Sequence, residues 1–252
     1  MRKKTFFHTN FWSLLTFFVI IILFCYFRLK PIFLQTVPYT FDQGRDFIKT
    51  QQIVRELNPT LIGPTSGIPG LFHGAWWYYF LAIPYIFFSG LPIGFSLFIF
   101  INCFLQLILF SYFLKKEFGL FVSLIFSLLV AGSSYFIMMS FFVISSVLTF
   151  PFILLFIYTV YLFLKTNDKK YLFWLFLWIG FILESELPTG LFTGIAFMIT
   201  LTFLGKIKLL FSKEGFKKAF IGFVIPITPR LLFEVLKGFP QSKTVLKFIL
   251  NP

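Results

Sequence analysis

An all-α, polytopic transmembrane helical bundle is the fold class the sequence predicts, and three observations carry it. The 252 residues are 58% hydrophobic and only 12% charged, with a mean hydropathy of +0.91, more apolar surface than a water-soluble core of ordinary proportions can hide. The apolar residues fall in runs of about the length that crosses a bilayer at about 1.5 Å per residue. The basic residues gather in the short breaks between those runs, so that orientation in the bilayer, rather than a nucleic-acid partner, accounts for the net charge of +13.

In chain order, Arg2, Lys3 and Lys4 precede an apolar run over residues 11–27. No small-residue cleavage site follows, so this run reads as a retained first span with a cytoplasmic N-terminus rather than a signal peptide. Further apolar runs cover residues 76–88, 91–114, 119–139, 147–164, 171–183, 187–204 and 219–236, and no fixed-period repeat or low-complexity linker divides them. The chain, residues 1–252, therefore reads as a single transmembrane domain. Its two cysteines, Cys25 and Cys103, lie inside apolar runs and read as small core residues, not as a disulfide or a metal pair. The 43 phenylalanines imply no cofactor.

Topology turns on residues 76–88, a short run broken by Pro84. If it crosses, the loops with Lys115 and Lys116, with Lys165, Lys169 and Lys170, and with the lysines of residues 206–218 all fall outside, against the positive-inside rule. If it forms a tilted or re-entrant helix, those loops join the N-terminus in the cytoplasm and hold 13 of the 22 basic residues, while Asp42, Asp46, Glu56, Glu184, Glu186 and Glu234 face outward. The second arrangement fits the charges. It gives about seven spans and an extracytoplasmic first loop, residues 31–75, on the same face as Glu184 and Glu186. The basic, amphipathic ending at Pro252 reads as an interrupted protein.

The first loop holds the densest mixture of acids, bases, glycines and prolines. Between Asp42 and Leu57, Phe47, Ile53, Val54 and Leu57 share an arc at 100° per residue, with Arg45, Lys49, Arg55 and Glu56 off it, as in a helix lying at the membrane interface. Thr40 or Asp42 caps its start and Pro59 stops it. A carboxylate at that place has two readings: an ordinary helix cap, or a general base for an acceptor hydroxyl with nearby Arg or Lys neutralising a departing lipid phosphate.

The order of the pieces is more specific than any one of them. An N-terminal span, FDQGRDF, a polar helix, LIGPTSGIPGLFHG, a WWYY run with a downstream proline, and a Gly-Leu-Pro turn together resemble the polytopic GT-C glycosyltransferases, in the bacterial branch related to the protein mannosyltransferases and the lipid A aminoarabinose transferase. The likeness is clearest over residues 39–118. It implies a glycosyltransferase of the cell membrane that takes a sugar from a polyprenyl-phosphate donor, with inversion, on the extracytoplasmic face, with Asp42 matching the acid that serves as base. The acceptor and the sugar are not specified. Two departures stand out: His73-Gly74-Ala75 replaces the His-Gly-Pro usual before the aromatic run, and MSFFVISSV is apolar where relatives carry a polar segment.

The other candidate residues keep two readings each. Arg45 pairs with Asp42 or contacts phosphate; Asp46 orients Arg45 or Lys49, acts as a second acid, or is solvated. His73 contacts phosphate or sugar or is an idle loop residue. Tyr78, with Trp76, Trp77 and Tyr79, belongs to an interfacial aromatic belt or stacks on sugar. Glu186, favoured over Glu184, lines the site or ends a helix in water. Arg230 clamps phosphate or snorkels to headgroups. A divalent cation would draw on carboxylates such as Asp42 and Glu186. Two rival functions remain: a carrier or flippase for a lipid-linked sugar, and an inactive accessory membrane subunit.

Overall fold

Long apolar stretches with few breakers can satisfy their backbone in lipid only as helices, and a computed structural model of the chain is built accordingly. It describes residues 2–250, and side chains from residue 11 onward except Ile249. Met1, Pro252 and the side chains of Arg2, Lys3 and Lys4, which entered the N-terminal assignment, lie outside the described residues. In order, the elements are α1 (Arg2–Phe33), α2 (Phe41–Arg55), β1 (Ile62–Thr65), β2 (Phe72–Gly74), α3 (Trp76–Phe88), α4 (Pro92–Phe118), α5 (Leu120–Gly132), α6 (Ser134–Met139), a 3-10 turn (Ser145–Leu148), α7 (Thr149–Thr166), α8 (Lys170–Ser185), α9 (Leu187–Phe203), α10 (Ile207–Phe211), α11 (Lys213–Lys237) and α12 (Pro240–Leu250). Among the described residues, four helical stretches are long and apolar enough to cross a membrane: Phe11–Phe33, Pro92–Phe118, Ser145–Thr166 and Lys213–Lys237. Large apolar side chains stand exposed along them, among them Phe18, Leu109, Tyr158 and Phe220, as expected of helices that meet lipid rather than water. The chain is an α-helical membrane protein.

The chain forms two compact units. In the first, residues 1–43 and 87–143, α4 and α5 turn back on each other at Gly119, whose φ of +91° suits glycine. Their contact is built from small polar residues: Ser111 and Ser127 hydroxyls lie 2.7 Å apart, Ser123 donates to the Ser111 carbonyl, and Ser127 donates to the Ser123 carbonyl. Such residues let helices approach closely and bond across the gap.

Arg28 of α1 is fully buried in this unit. Its guanidinium donates to the carbonyls of Val130 (2.7 Å), Ala131 (3.2 Å) and Phe24 (3.2 Å) and to the Ser140 hydroxyl (3.0 Å), and lies 3.7 Å over the Phe24 ring. The carbonyls of Val130 and Ala131 belong to the last turn of α5, the negative end of its dipole. The single run expected over residues 119–139 is consequently two helices broken at Ser133, which is extended (φ −70°, ψ 126°). The break leaves helix-end carbonyls that a distant arginine takes up.

The start of α2 also differs in detail from expectation. Thr40 and Gln43 form a reciprocal capping box: the Thr40 N–H donates to Gln43 Oε1 (2.8 Å) and the Gln43 N–H to Thr40 Oγ1 (3.4 Å). Thr40, rather than Asp42, is the cap. Asp42 stands exposed in the first turn. The buried stripe of α2 is polar, Gln43, Asp46 and Thr50, whereas Phe47, Ile53 and Val54 are half-buried and Leu57 lies past the helix end, exposed.

The second unit comprises residues 44–86 and 144–252. Here α8 and α11 pack in parallel: Gly222 faces the Phe173 carbonyl, Gly180 faces Phe223 and Pro226, and Glu184 meets Arg230. A methyl group at Gly222 would overlap that carbonyl, so the approach depends on glycine. α7 and α9 run the opposite way beside α8, as Trp178 bonding Thr159 and Phe152 stacking on Phe181 show for α7. A cluster of Phe163, Leu172, Leu175, Phe197 and Leu201 fills the space between them.

The helix directions give this unit two unlike ends. Lys165, Lys169, Lys170, Lys206, Lys208, Lys213, Lys217 and Lys218 gather where α7 meets α8 and α9 meets α11. Lys206 donates to the Leu164 carbonyl, and Glu214 pairs with both Lys169 and Lys218. The other end holds Glu184, Glu186, Arg230, Glu234 and the antiparallel β1–β2 hairpin. That hairpin, formed by IGPT and FHG, makes the fold nearly all-α; the sequence had suggested only a Gly/Pro-rich loop there.

Candidate functional site

A carboxylate and a guanidinium removed from water need each other, and the hairpin end of the second unit is organised around such a pair. Arg230 Nε donates to Glu184 Oε1 at 2.7 Å, with side chains 15% and 1% exposed. Parallel α8 and α11 bring the two together because both lie near the same ends of their helices. Gly74 of β2 rests against the Glu184 carboxylate, where any side chain would collide with Oε2. Arg230 Nη1 also reaches Gln241 Oε1 (3.5 Å), and that oxygen accepts the Phe72 N–H (2.9 Å), tying α12 to the hairpin.

α12 is held by Glu234 of α11. Its carboxylate accepts the backbone N–H groups of Gln241 and Ser242 (both 3.0 Å) and the Ser242 hydroxyl (2.7 Å), so an anion caps the positive N-terminus of that helix. Gly238 and Phe239 turn the chain between the two helices with φ of +73° and +62°. The basic segment expected after the last span is therefore an ordered amphipathic helix.

Asp46 is the second centre. It is 2% exposed and accepts the Trp77 indole N–H at Oδ2 (2.7 Å) and Arg45 Nε at Oδ1 (2.9 Å). The Tyr78 hydroxyl lies in hydrogen-bonding range of both Arg45 and Asp46, and Arg45 Nη1 donates to Thr65 of β1 at 3.1 Å. Donors on both oxygens hold this carboxylate in place, and it fixes Arg45 in turn.

The aromatic run is a correction to the sequence reading. Trp77 and Tyr78 are buried, and all four polar tips have protein partners instead of forming a belt toward headgroups. Trp76 donates to the Pro226 carbonyl (2.7 Å), Trp77 bonds Asp46, Tyr78 reaches Arg45 and Asp46, and Tyr79 donates to the Thr60 carbonyl (2.7 Å). A buried Tyr or Trp needs such a partner, and the partners here are far away in sequence.

His73 of β2 lies within electrostatic reach of both Arg230 and Arg45. Burial first, and then the Arg230 charge, hold its pKa below the ordinary 6.5, with a hydrogen bond to the Ser185 carbonyl opposing them and Arg45 adding to the depression. Glu186, between α8 and α9, is half-buried and makes no side-chain hydrogen bond or ion pair with the described residues, and burial pushes its pKa up.

The structure thus groups Arg45, Asp46 and Tyr78, and it links His73 with Arg230 and Arg45. Asp42 falls in the first unit and Glu186 in the second. Among the described residues no three His, Cys, Asp or Glu side chains are gathered as a metal-binding set. Glu184, passed over for Glu186, is the acid that Arg230 holds. The signal for it was present: Gly180 and Glu184 share a face of α8, and Gly222, Pro226 and Arg230 share a face of α11, each a run at helical spacing from a small residue to a charge.

Fold and site define a helical membrane protein with a buried acid–base cluster at one end of a four-helix arrangement and lysines at the other. Set against known proteins, the chain matches no family model, no curated protein and no solved structure.

Two outcomes are expected. Arg230→Met, which strands a buried carboxylate, should cost about 3–5 kcal/mol in detergent-titrated unfolding, and the double variant Glu184→Gln/Arg230→Met should recover at least about 1 kcal/mol of it; strict additivity would show that the pair is not coupled. A histidine held neutral by the fold takes up its proton in the unfolded chain first, so stability falls as pH drops below 6.5 toward the depressed native value. The fall in unfolding midpoint between pH 7.5 and 5.5 should be smaller in His73→Gln than in the unaltered protein.

Proposed function

We propose that the chain is a multi-pass cell-membrane glycosyltransferase of the GT-C kind, moving a sugar from a polyprenyl-phosphate donor to an acceptor on the extracytoplasmic face. In this reading about seven spans, with a cytoplasmic N-terminus, carry the lysine-rich end of the second unit on the cytoplasmic side and the hairpin end outside. The motif order from FDQGRDF to WWYY suggests the class. The observation that carries the reading is a pair of arginines in the second unit, Arg45 and Arg230, each anchored by a buried carboxylate and both acting electrostatically on His73. Positive charge held in place at a water-poor site is what a departing phosphate requires.

Roles follow from the motif order and from the burial of each acid. Asp46 has both oxygens engaged by Trp77 and Arg45, so it positions Arg45 rather than taking a proton. Asp42 is exposed on the first turn of α2, where Thr40 and Gln43 already serve as cap; it is the proposed base. Its carboxylate takes the acceptor hydroxyl proton as the acceptor oxygen bonds to the anomeric carbon. The bond from that carbon to the phosphate oxygen breaks, and the electron pair leaves with the polyprenyl phosphate, met by Arg45 and Arg230. His73 and Tyr78 contact the donor, and Glu186 hydrogen-bonds a sugar hydroxyl.

A second reading, an accessory subunit or carrier without transferase activity, is favoured by one observation: Glu184 and Arg230 neutralise each other. Transfer of labelled sugar from a polyprenyl-phosphate donor by the reconstituted protein separates the two. Asp42→Asn is expected to lower the initial rate at least about 100-fold while donor binding persists. Undiminished turnover in that variant removes Asp42 as base, and no transfer by the unaltered protein supports the accessory or carrier reading.

A further inference from the structure

At the lysine-rich end of the second unit an apolar groove of about 270 Å³ opens between α8, α9, α10 and α11, lined only by apolar residues, among them Phe176, Met198, Phe211, Phe216, Phe220 and Phe223. Phe211, Phe216 and Phe220 are 65%, 56% and 59% exposed, so the groove faces the surroundings of the helices rather than a closed core. Lysines stand on the helices that line it. On α11, Lys213 precedes Phe216, Phe220 and Phe223 on the same helical face, with Lys217 beside it; on α10, Lys208 stands one turn before Phe211. Lys208, Lys213 and Lys217 are exposed and make no ion pair among the described residues. The neighbouring acids serve other cations, Glu214 pairing with Lys169 and Lys218 and Asp168 with Lys170.

An apolar slot of this size with uncompensated ammonium groups at one end has the chemistry of a two-part ligand, a hydrocarbon chain joined to an anion. We infer that the groove is a binding site for an anionic phospholipid, one acyl chain lying against the phenylalanines and the phosphate held by Lys208, Lys213 and Lys217. The inference needs the membrane setting but not the glycosyl-transfer reading. A bound lipid here would bridge α10 and α11 to α8 and α9 at the end where the chain has only short loops to hold them.

Native mass spectrometry of the purified full chain, with phosphatidylglycerol or phosphatidylcholine of identical acyl chains, tests it. The unaltered protein should retain phosphatidylglycerol on the order of 100-fold better, given roughly 1 kcal/mol for each of the three lysines near an anionic headgroup. Lys208→Gln/Lys213→Gln/Lys217→Gln should bring retention down to the phosphatidylcholine level. Phe216→Ala/Phe220→Ala, at exposed positions that leave the core untouched, should lower retention of both lipids. Lys115→Gln/Lys116→Gln should keep the preference of the unaltered protein. Equal retention of the two lipids, an unchanged preference in the triple variant, or an equal loss in the Lys115/Lys116 variant would overturn the site.

Discussion

An ion pair withdrawn from water is stable only where geometry is good and the remaining polar atoms are served, and the hairpin end of the second unit is arranged around one such pair, Glu184 with Arg230. The pairing requires α8 and α11 to run in parallel at close range, and glycines permit that: Gly222 against the Phe173 carbonyl and Gly180 against Pro226. It also requires Gly74 on the far side of the carboxylate, which ties the β2 strand to the helices. Gln241 then joins Arg230 to the Phe72 backbone, and Glu234 orders the helix that carries Gln241. One charge pair thus fixes two helices, a hairpin and a terminal amphipathic helix in mutual register.

Arg28 in the first unit illustrates a different solution to the same problem. Its partners are carbonyls and a hydroxyl, two of the carbonyls from the end of α5. The helix dipole and the Phe24 ring share the work that a carboxylate does for Arg230. Both devices place a cation where an isolated charge would be costly, and both join elements more than forty residues apart.

Much of the fold was legible because it rests on local composition. The apolar runs, the Gly-Leu-Pro turn before α4 and the helix expected between Asp42 and Leu57 all follow from period, breakers and caps. What was not legible depends on partners distant in the chain. The split at Ser133 leaves carbonyls that Arg28, about a hundred residues away, takes up, and the burial of Trp77 and Tyr78 needs Asp46 and Arg45. A four-residue strand with a bulge opposite FHG carries too short a pattern to be told from a Gly/Pro-rich loop. In the candidate site the pairings depend on which face each side chain takes, and acids two positions apart at a helix end point to different faces.

In the proposed topology the two ends of the second unit, one built on the Glu184–Arg230 pair and the hairpin, the other on lysines, lie on opposite sides of a membrane. Single cysteines introduced at Gly67, which is exposed with open space around it, and at Lys208, in a background where Cys25 and Cys103 are replaced by serine, measure this directly with a membrane-impermeant maleimide on intact cells. Gly67→Cys should label at once and Lys208→Cys only after permeabilisation. Labelling of both from the same side would contradict it.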